Sequence, residues 1–156
     1  MQIRAATGED FVGLCRLWAA VDELHAELAP DFFRQPPEPP RSRADLRRQL
    51  ADSDRLTLVA EERGELCGLA EAKLADTPRE PQLQPRRRVY LDELVVGPRW
   101  RRRGVGRALL EAVEAWGRGR GASDILLTVW AGNADAEAFY GELGFRPQSH
   151  VLGRRL

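Results

Sequence analysis

The chain has 156 residues, about the size of one domain, and at 43% hydrophobic it has enough apolar side chains for a core. It is too short for a multidomain machine, and a single domain over 1–156 is expected. The 24 basic residues offset 24 acidic ones for a net charge of +0, so bulk charge points neither to nucleic acid nor to an anionic membrane. Only Lys73 is lysine; every other basic residue is arginine, whose planar fork suits phosphate and carboxylate.

Ile3 lies in a short extended start, and Thr7-Gly8-Glu9-Asp10 reads as an N-cap with acids in the first helical turn. Phe11, Leu14, Leu17, Trp18, Val21, Leu24 and Leu28 then repeat at helical spacing up to Pro30. Five prolines between Pro30 and Arg43 forbid a regular helix, and a loop of that length is a candidate binding element. Ser42 with Asp45 caps a second helix reaching about Leu50. Leu56–Ala60 and Leu66–Ala72 read as two strands of a hairpin turning at Arg63-Gly64. Thr77–Arg88, with three prolines, reads as a loop. Val89–Val96 is the strongest strand, stopped by Gly97-Pro98. A helix over Arg103–Arg120, a strand over Ile125–Trp130, a helix around Asp135–Leu143 and an extended segment from Phe145 complete the chain. Hairpin strands followed by strand–helix alternation predict an α/β domain with a mixed sheet.

Cys15 and Cys67 stand far apart with no metal-ligand spacing around them, so neither a disulfide scaffold nor a metal site is expected. No basic, apolar leader opens the chain, and no run approaches the ~18 apolar residues of a membrane span. A cytoplasmic protein with no membrane partner is expected.

The informative stretch is Leu91–Val96 running through Gly97-Pro98-Arg99-Trp100 into Arg101-Arg102-Arg103-Gly104-Val105-Gly106-Arg107 at a helix start. About four backbone N–H groups lack partners there and carry the positive end of the helix dipole. Gly104 and Gly106 let an anion approach these amides, and the arginines add charge. The plain alternative is a capped helix with solvated arginines. There is no G-x-x-x-x-G-K-[ST] for a P-loop NTPase. A dinucleotide fold needs a third glycine where Leu109 stands, in the first strand–helix unit of the chain. A nucleic-acid role for Arg99–Arg103 lacks the interleaved aromatics it requires.

Val95 through Gly106 resembles the acetyl-CoA signature of the GNAT N-acetyltransferases, a [QR]-x-x-G-x-[GA] turn after a strand. Asn133, Ala136, Phe139-Tyr140 and Gly144-Phe145 are similar to that family's N-x-x-A-x-x-[FL]-Y-x-x-x-G-F segment, in order and at the expected distance. The likeness spans about Val89–Arg146. It implies a GNAT-type mixed, mostly antiparallel sheet with flanking helices and splayed central strands. It further implies acetyl-CoA as co-substrate and a primary amine of a small molecule or peptide as acceptor, with no metal; homodimers are common in that family.

By the same resemblance, the amides of Arg102, Arg103, Gly104, Val105, Gly106 and Arg107 face the pyrophosphate, and Arg101 adds charge beside them. Leu94, Val95 and Val96 bind the pantetheine arm as an added strand, and Asn133 bonds it. Tyr140 protonates the leaving thiolate; its bland alternative is ring packing beside Phe139 and Phe145. An alkylammonium must lose a proton before it attacks. Asp92 and Glu93 are the candidate bases. Alternation sends them to opposite sheet faces, Glu93 comes first by resemblance, and a bulge would favour Asp92. The bland alternative for either is pairing with arginines such as Arg86–Arg88. His25 and Trp130 are minor candidates for the acceptor pocket. Thr128 stands where the branch that acetylates ribosomal proteins often has glutamate, which weakens assignment to N-terminal protein acetylation. His25–Phe33 looks like small bacterial members compared with aminoglycoside acetyltransferases. The competing function is a non-catalytic acyl-CoA-binding regulatory module on the same fold; Asn133 and Tyr140 argue for the enzyme.

Overall fold

The computed structural model describes residues 1–154. Strand β1 (Gln2–Ala5) leads into a 3-10 turn, Gly8–Asp10, that continues as helix α1 (Phe11–Leu28). Thr7 and Asp10 close a reciprocal capping box over this start. Asp10 also takes two hydrogen bonds from Arg4, each 2.8 Å, and is held below the usual carboxylate range chiefly by them. Helix α2 (Arg43–Ala51) begins at a second capping box, Ser42 with Asp45. Ser42→Ala is expected to lower stability by about 1 kcal/mol, read as a fall in the thermal midpoint.

Strands β2 (Arg55–Glu62) and β3 (Glu65–Asp76) form the hairpin expected at Arg63-Gly64. Both turn residues have positive φ, 54° and 79°, as a two-residue turn between twisted strands requires. Strand β4 (Arg87–Val96), a 3-10 turn at Pro98–Trp100, helix α3 (Val105–Gly119), strand β5 (Asp124–Leu127) and helix α4 (Ala134–Glu142) follow. The sheet order is β1-β2-β3-β4-β5, antiparallel except for the parallel β4·β5 pair.

Two apolar layers hold the sheet. On one face α1 and α2 place Leu14, Leu17, Trp18 and Leu46 against Val59, Leu69 and Val95. On the other, Val105, Leu109, Leu110 and Val113 of α3 cover Ala70, Ala72, Val89 and Leu91. Helix α3 lies so close that a Cβ on Gly117 would stand 2.4 Å from Val89 Cγ2. Among the described residues no helix is long and apolar enough to cross a membrane.

Several boundaries differ from expectation, β3 running past Ala72 to Asp76 among them. Helix α3 starts at Val105, not Arg103, because Arg102 and Gly104 sit in the left-handed region, at φ 61° and 81°, which cannot continue a right-handed helix. Strand β5 stops at Leu127, three residues before Trp130. The segment from Phe145 joins no ladder through residue 154; Pro147 lacks a donor, and Val151 and Leu152 stay solvent-exposed.

Candidate active site

The site grows from an irregularity in β4. Glu71 of β3 pairs with Glu93 and the next residue, Ala72, pairs with Leu91, so Asp92 is an extra residue on β4. Such a bulge bends its strand and re-aims side chains. Leu91 and Leu94, three apart, thereby both pack on the α3 face. Asp92 and Glu93 both turn toward the α1/α2 face, where Asp92 meets Lys73 and Arg55 while Glu93 meets Arg41. The expectation of opposite faces therefore fails, because strict alternation holds only for unbulged strands.

The bulge exists, and it leaves the two carboxylates in different settings. The Asp92 carboxylate is partly exposed and tied by Lys73 at 2.8 Å and Arg55 at 3.4 Å. Glu93 is the sequestered one: its side chain keeps 17% exposure, Oε1 receives a long 3.4 Å contact from Arg41, and Oε2 is buried with no partner. Burial, reinforced by the neighbouring Glu71, pushes its carboxyl up to about 8. Arg86 and Arg87 pair with Asp124 and Asp76 instead, and so neutralise neither candidate base.

Four residues that sequence reasoning missed build the surroundings of Glu93. Trp18 of α1 donates its indole N–H to Glu71 Oε1 at 3.0 Å. Asp22, one turn further along α1, takes two hydrogen bonds from Arg41, at 2.8 and 3.1 Å. Arg41 closes the proline-rich segment just before α2. The sequence did carry one sign: Glu71 is an acid within the apolar run Leu69-Ala70-Glu71-Ala72, and acids are almost never buried without a partner.

Beyond the bulge, β4 parts from its neighbour. The β4·β5 ladder runs from Arg88–Asp124 to Leu91–Leu127 and ends there. Leu94, Val95 and Val96 remain paired to β3 on one side only. Their other edge is free of β5, as expected for splayed central strands.

At the end of β4 lies the arginine-rich turn. Gly104 at the N-cap of α3 has no side chain to cap the first turn. Arg102 and Gly104, on either side of Arg103, both have left-handed backbone, at φ 61° and 81°. A Cβ on Gly104 would meet open space. Gly106 is a glycine for a second reason: a Cβ there would stand 3.3 Å from the Phe139 ring and 3.6 Å from Val96 Cγ2, so it admits α4 as well as sparing the amides. Arg101 Nε donates to the Val96 carbonyl at 3.3 Å, and Arg103 lies over the Trp100 ring. Arg102 and Arg107 are exposed.

The second motif docks against this turn. Asn133 caps α4, its Oδ1 accepting from the Ala136 N–H at 3.1 Å. Tyr140 packs between Phe139 and Phe145 and against the α3-side core. Burial raises its hydroxyl to about 12. Trp130 meets Phe32 and Phe33 of the proline-rich segment, each with ring centroids 4.8 Å away, and His25 stacks on Phe33. His25 and Trp130 are thus joined in one aromatic cluster where that segment meets the β5–α4 connection. No group of His, Cys, Asp and Glu among the described residues is arranged to hold a metal.

Comparison with known proteins agrees with this architecture. Residues 9–145 match the model of the Acetyltransferase (GNAT) family. An aminoglycoside N(6')-acetyltransferase type 1 of Stenotrophomonas maltophilia is 32% identical over 114 residues, covering 72% of this chain and 73% of that protein. The structure of a point mutant of the BH1408 protein from Bacillus halodurans superposes with TM-score 0.94 at 32% identity, covering 100% of this chain and 99% of that one. The aminoglycoside N-acetyltransferase AAC(6')-Iy in complex with CoA shares the fold, with TM-score 0.73 at 22% identity, covering 99% and 98%. With the parted strand, the open turn and a family match over nearly the whole length, the chain belongs to the GNAT acetyltransferase family.

Proposed function

We propose that the protein is an acetyl-CoA-dependent N-acetyltransferase acting on a primary amine of a small molecule or peptide. The observation that carries this reading is Glu93: a sequestered carboxyl, with one oxygen unpartnered, beside the strand edge that β5 leaves open. The fit to CoA rests on two features of the chain, the uncapped first turn of α3 and the one-sided pairing of Leu94–Val96. Acetyl-CoA, when bound, supplies a thioester whose C–S bond breaks as the amine nitrogen bonds the carbonyl carbon.

In this reading the amides from Arg102 to Arg107 hold the pyrophosphate, with charge from Arg101, Arg102, Arg103 and Arg107. Leu94, Val95 and Val96 bind the pantetheine amides by their free edge, and the Val96 N–H polarises the thioester carbonyl. Asn133, whose Oδ1 is engaged in capping, turns its NH2 toward the arm. Glu93, rather than the ion-paired Asp92, takes the proton from the acceptor ammonium. The carboxylates of Asp22 and Glu71 outnumber Arg41 there and favour a cationic acceptor. The free Cys15 and Cys67 suit a cytoplasmic setting, and we include in the proposal a homodimer, as is common among such enzymes.

Tyr140, with its hydroxyl raised to about 12, stays protonated throughout the working range and hydrogen-bonds the leaving thiolate. A thiolate with an ordinary pKa near 8.5 leaves without full protonation, so Tyr140→Phe is expected to lower kcat only about tenfold, below the usual span for a general acid. Unchanged turnover would remove Tyr140 from the reaction. The decisive experiment follows free-thiol release from acetyl-CoA over a panel of aminoglycosides, polyamines and peptides. Release with at least one amine supports the enzyme. CoA binding by calorimetry with no release for any amine would favour a binding module.

A further inference from the structure

We infer that Glu71 is a positioning residue for the proposed acetyl transfer, sharing a single proton with Glu93 across the β3·β4 ladder and so governing when Glu93 accepts a proton from the acceptor. The inference rests on the acetyl-transfer reading above.

The geometry begins with register. Glu71 and Glu93 are direct cross-strand partners at the bulge, a relation that brings Cβ atoms to about 4.5–5.5 Å, where like charges oppose each other. Both turn to the α1/α2 face, and Glu71 is only 8% exposed. Two carboxylates this close in a water-poor site do not both ionise readily; they titrate as a pair.

The hydrogen bonds decide which member holds the proton. Glu71 accepts from the Trp18 indole at 3.0 Å, a donor that favours its charged form and offsets part of the burial that raises its carboxyl. Glu93 has no donor to Oε2 and only the long Arg41 contact to Oε1. Of the pair, Glu71 is thus better held in its charged form, and Glu93 is the member better disposed to carry the proton. The remaining charges around Glu93 come from each packed element: Asp22 from α1, Arg41 from the segment before α2, and Asp92 beside it on β4. Arg41 is divided between Asp22 and Glu93. Lys73 of β3 and Arg55 of β2 are committed to Asp92.

The sign follows from this arrangement. Removing the Glu71 charge weakens the hold of Glu93 on its proton, so Glu93 becomes a competent base at lower pH. Removing the Arg41 charge acts the other way. A residue that merely supports the fold would move neither.

The test is the pH profile of kcat/KM for wild type, Glu71→Gln and Arg41→Gln with an amine found active in the thiol-release assay. Wild type is expected to show an acidic limb near 8, displaced about one unit downward in Glu71→Gln and upward in Arg41→Gln, each unit being a tenfold change in the proton equilibrium. An unmoved limb in a folded Glu71→Gln protein overturns the inference. Carbon-13 titration of the glutamate carboxyls in wild type requires no variant of the pair to fold. Two coupled steps support the shared proton, whereas independent single-step curves for the two residues overturn it. Glu93→Gln separates the two readings: if it keeps full activity, the base assignment fails, while the carboxyl titration still decides whether the proton is shared.

Discussion

Replacing Glu93 by glutamine is expected to reduce kcat/KM by roughly 10²- to 10⁴-fold, the range of a positioned general base, with acetyl-CoA affinity unchanged. The argument turns on what glutamine keeps and what it removes. It keeps the volume of the side chain at the bulge, so β4 should retain its register against β3 and its parting from β5. It removes the only carboxyl in the site that combines burial, an unpartnered oxygen and a proton affinity raised to about 8. It also ends the opposition of two carboxylates across the ladder, so the thermal midpoint should hold or rise. A drop in activity with an undiminished midpoint is therefore the signature of lost chemistry. Asp92→Asn supplies the contrast: its carboxylate is engaged by Lys73 and Arg55, and its loss should change turnover by no more than a few-fold, as for other exposed ion pairs. Full activity in Glu93→Gln together with a large loss in Asp92→Asn would reverse the two roles.

That contrast also marks where the sequence stopped being legible. The Thr7 cap, Ser42 with Asp45 and Arg63-Gly64 are local signals, since caps and turns are governed by residues a few positions apart, and the structure has each where expected. The strand order and the parting of β4 from β5 agree with the family resemblance. The bulge had no such signal: Leu91-Asp92-Glu93-Leu94 contains no glycine or proline, and the extra residue is set by how β3 and two helical layers meet β4. Alternation therefore misassigned Asp92 and Glu93. Trp18, Asp22, Arg41 and Glu71 come from three separate regions of the chain and converge only through packing of α1 on the sheet. The motif resemblance gives Asn133 a hydrogen bond to the cofactor arm; its capping of α4 requires knowing that the helix starts at Ala134.

The turn after β4 yields the other large effect. Gly104→Asp is expected to weaken acetyl-CoA binding roughly a hundredfold, because like charges held a few ångströms apart near a protein surface repel by a few kcal/mol. The position is open, so the new carboxylate meets no neighbouring atom as it leaves the backbone. No N-cap side chain covers the first turn of α3, so the aspartate competes for the donors assigned to the pyrophosphate. Its backbone cost is the strain of φ 81°, about 1–2 kcal/mol for a residue with a Cβ, and Gly104→Ala carries the same strain without the charge. The two variants thus separate conformation from electrostatics. If strain alone mattered, both would lose stability and affinity alike in calorimetry. If the turn holds an anion, alanine should lose stability with little loss of affinity, while aspartate, favoured by the helix dipole at this end, should melt no lower than alanine and bind acetyl-CoA far less well. Equal acetyl-CoA affinities for the two variants would mean that the bare amides of α3 do not face the pyrophosphate, and the arginines around them would then be ordinary solvated side chains.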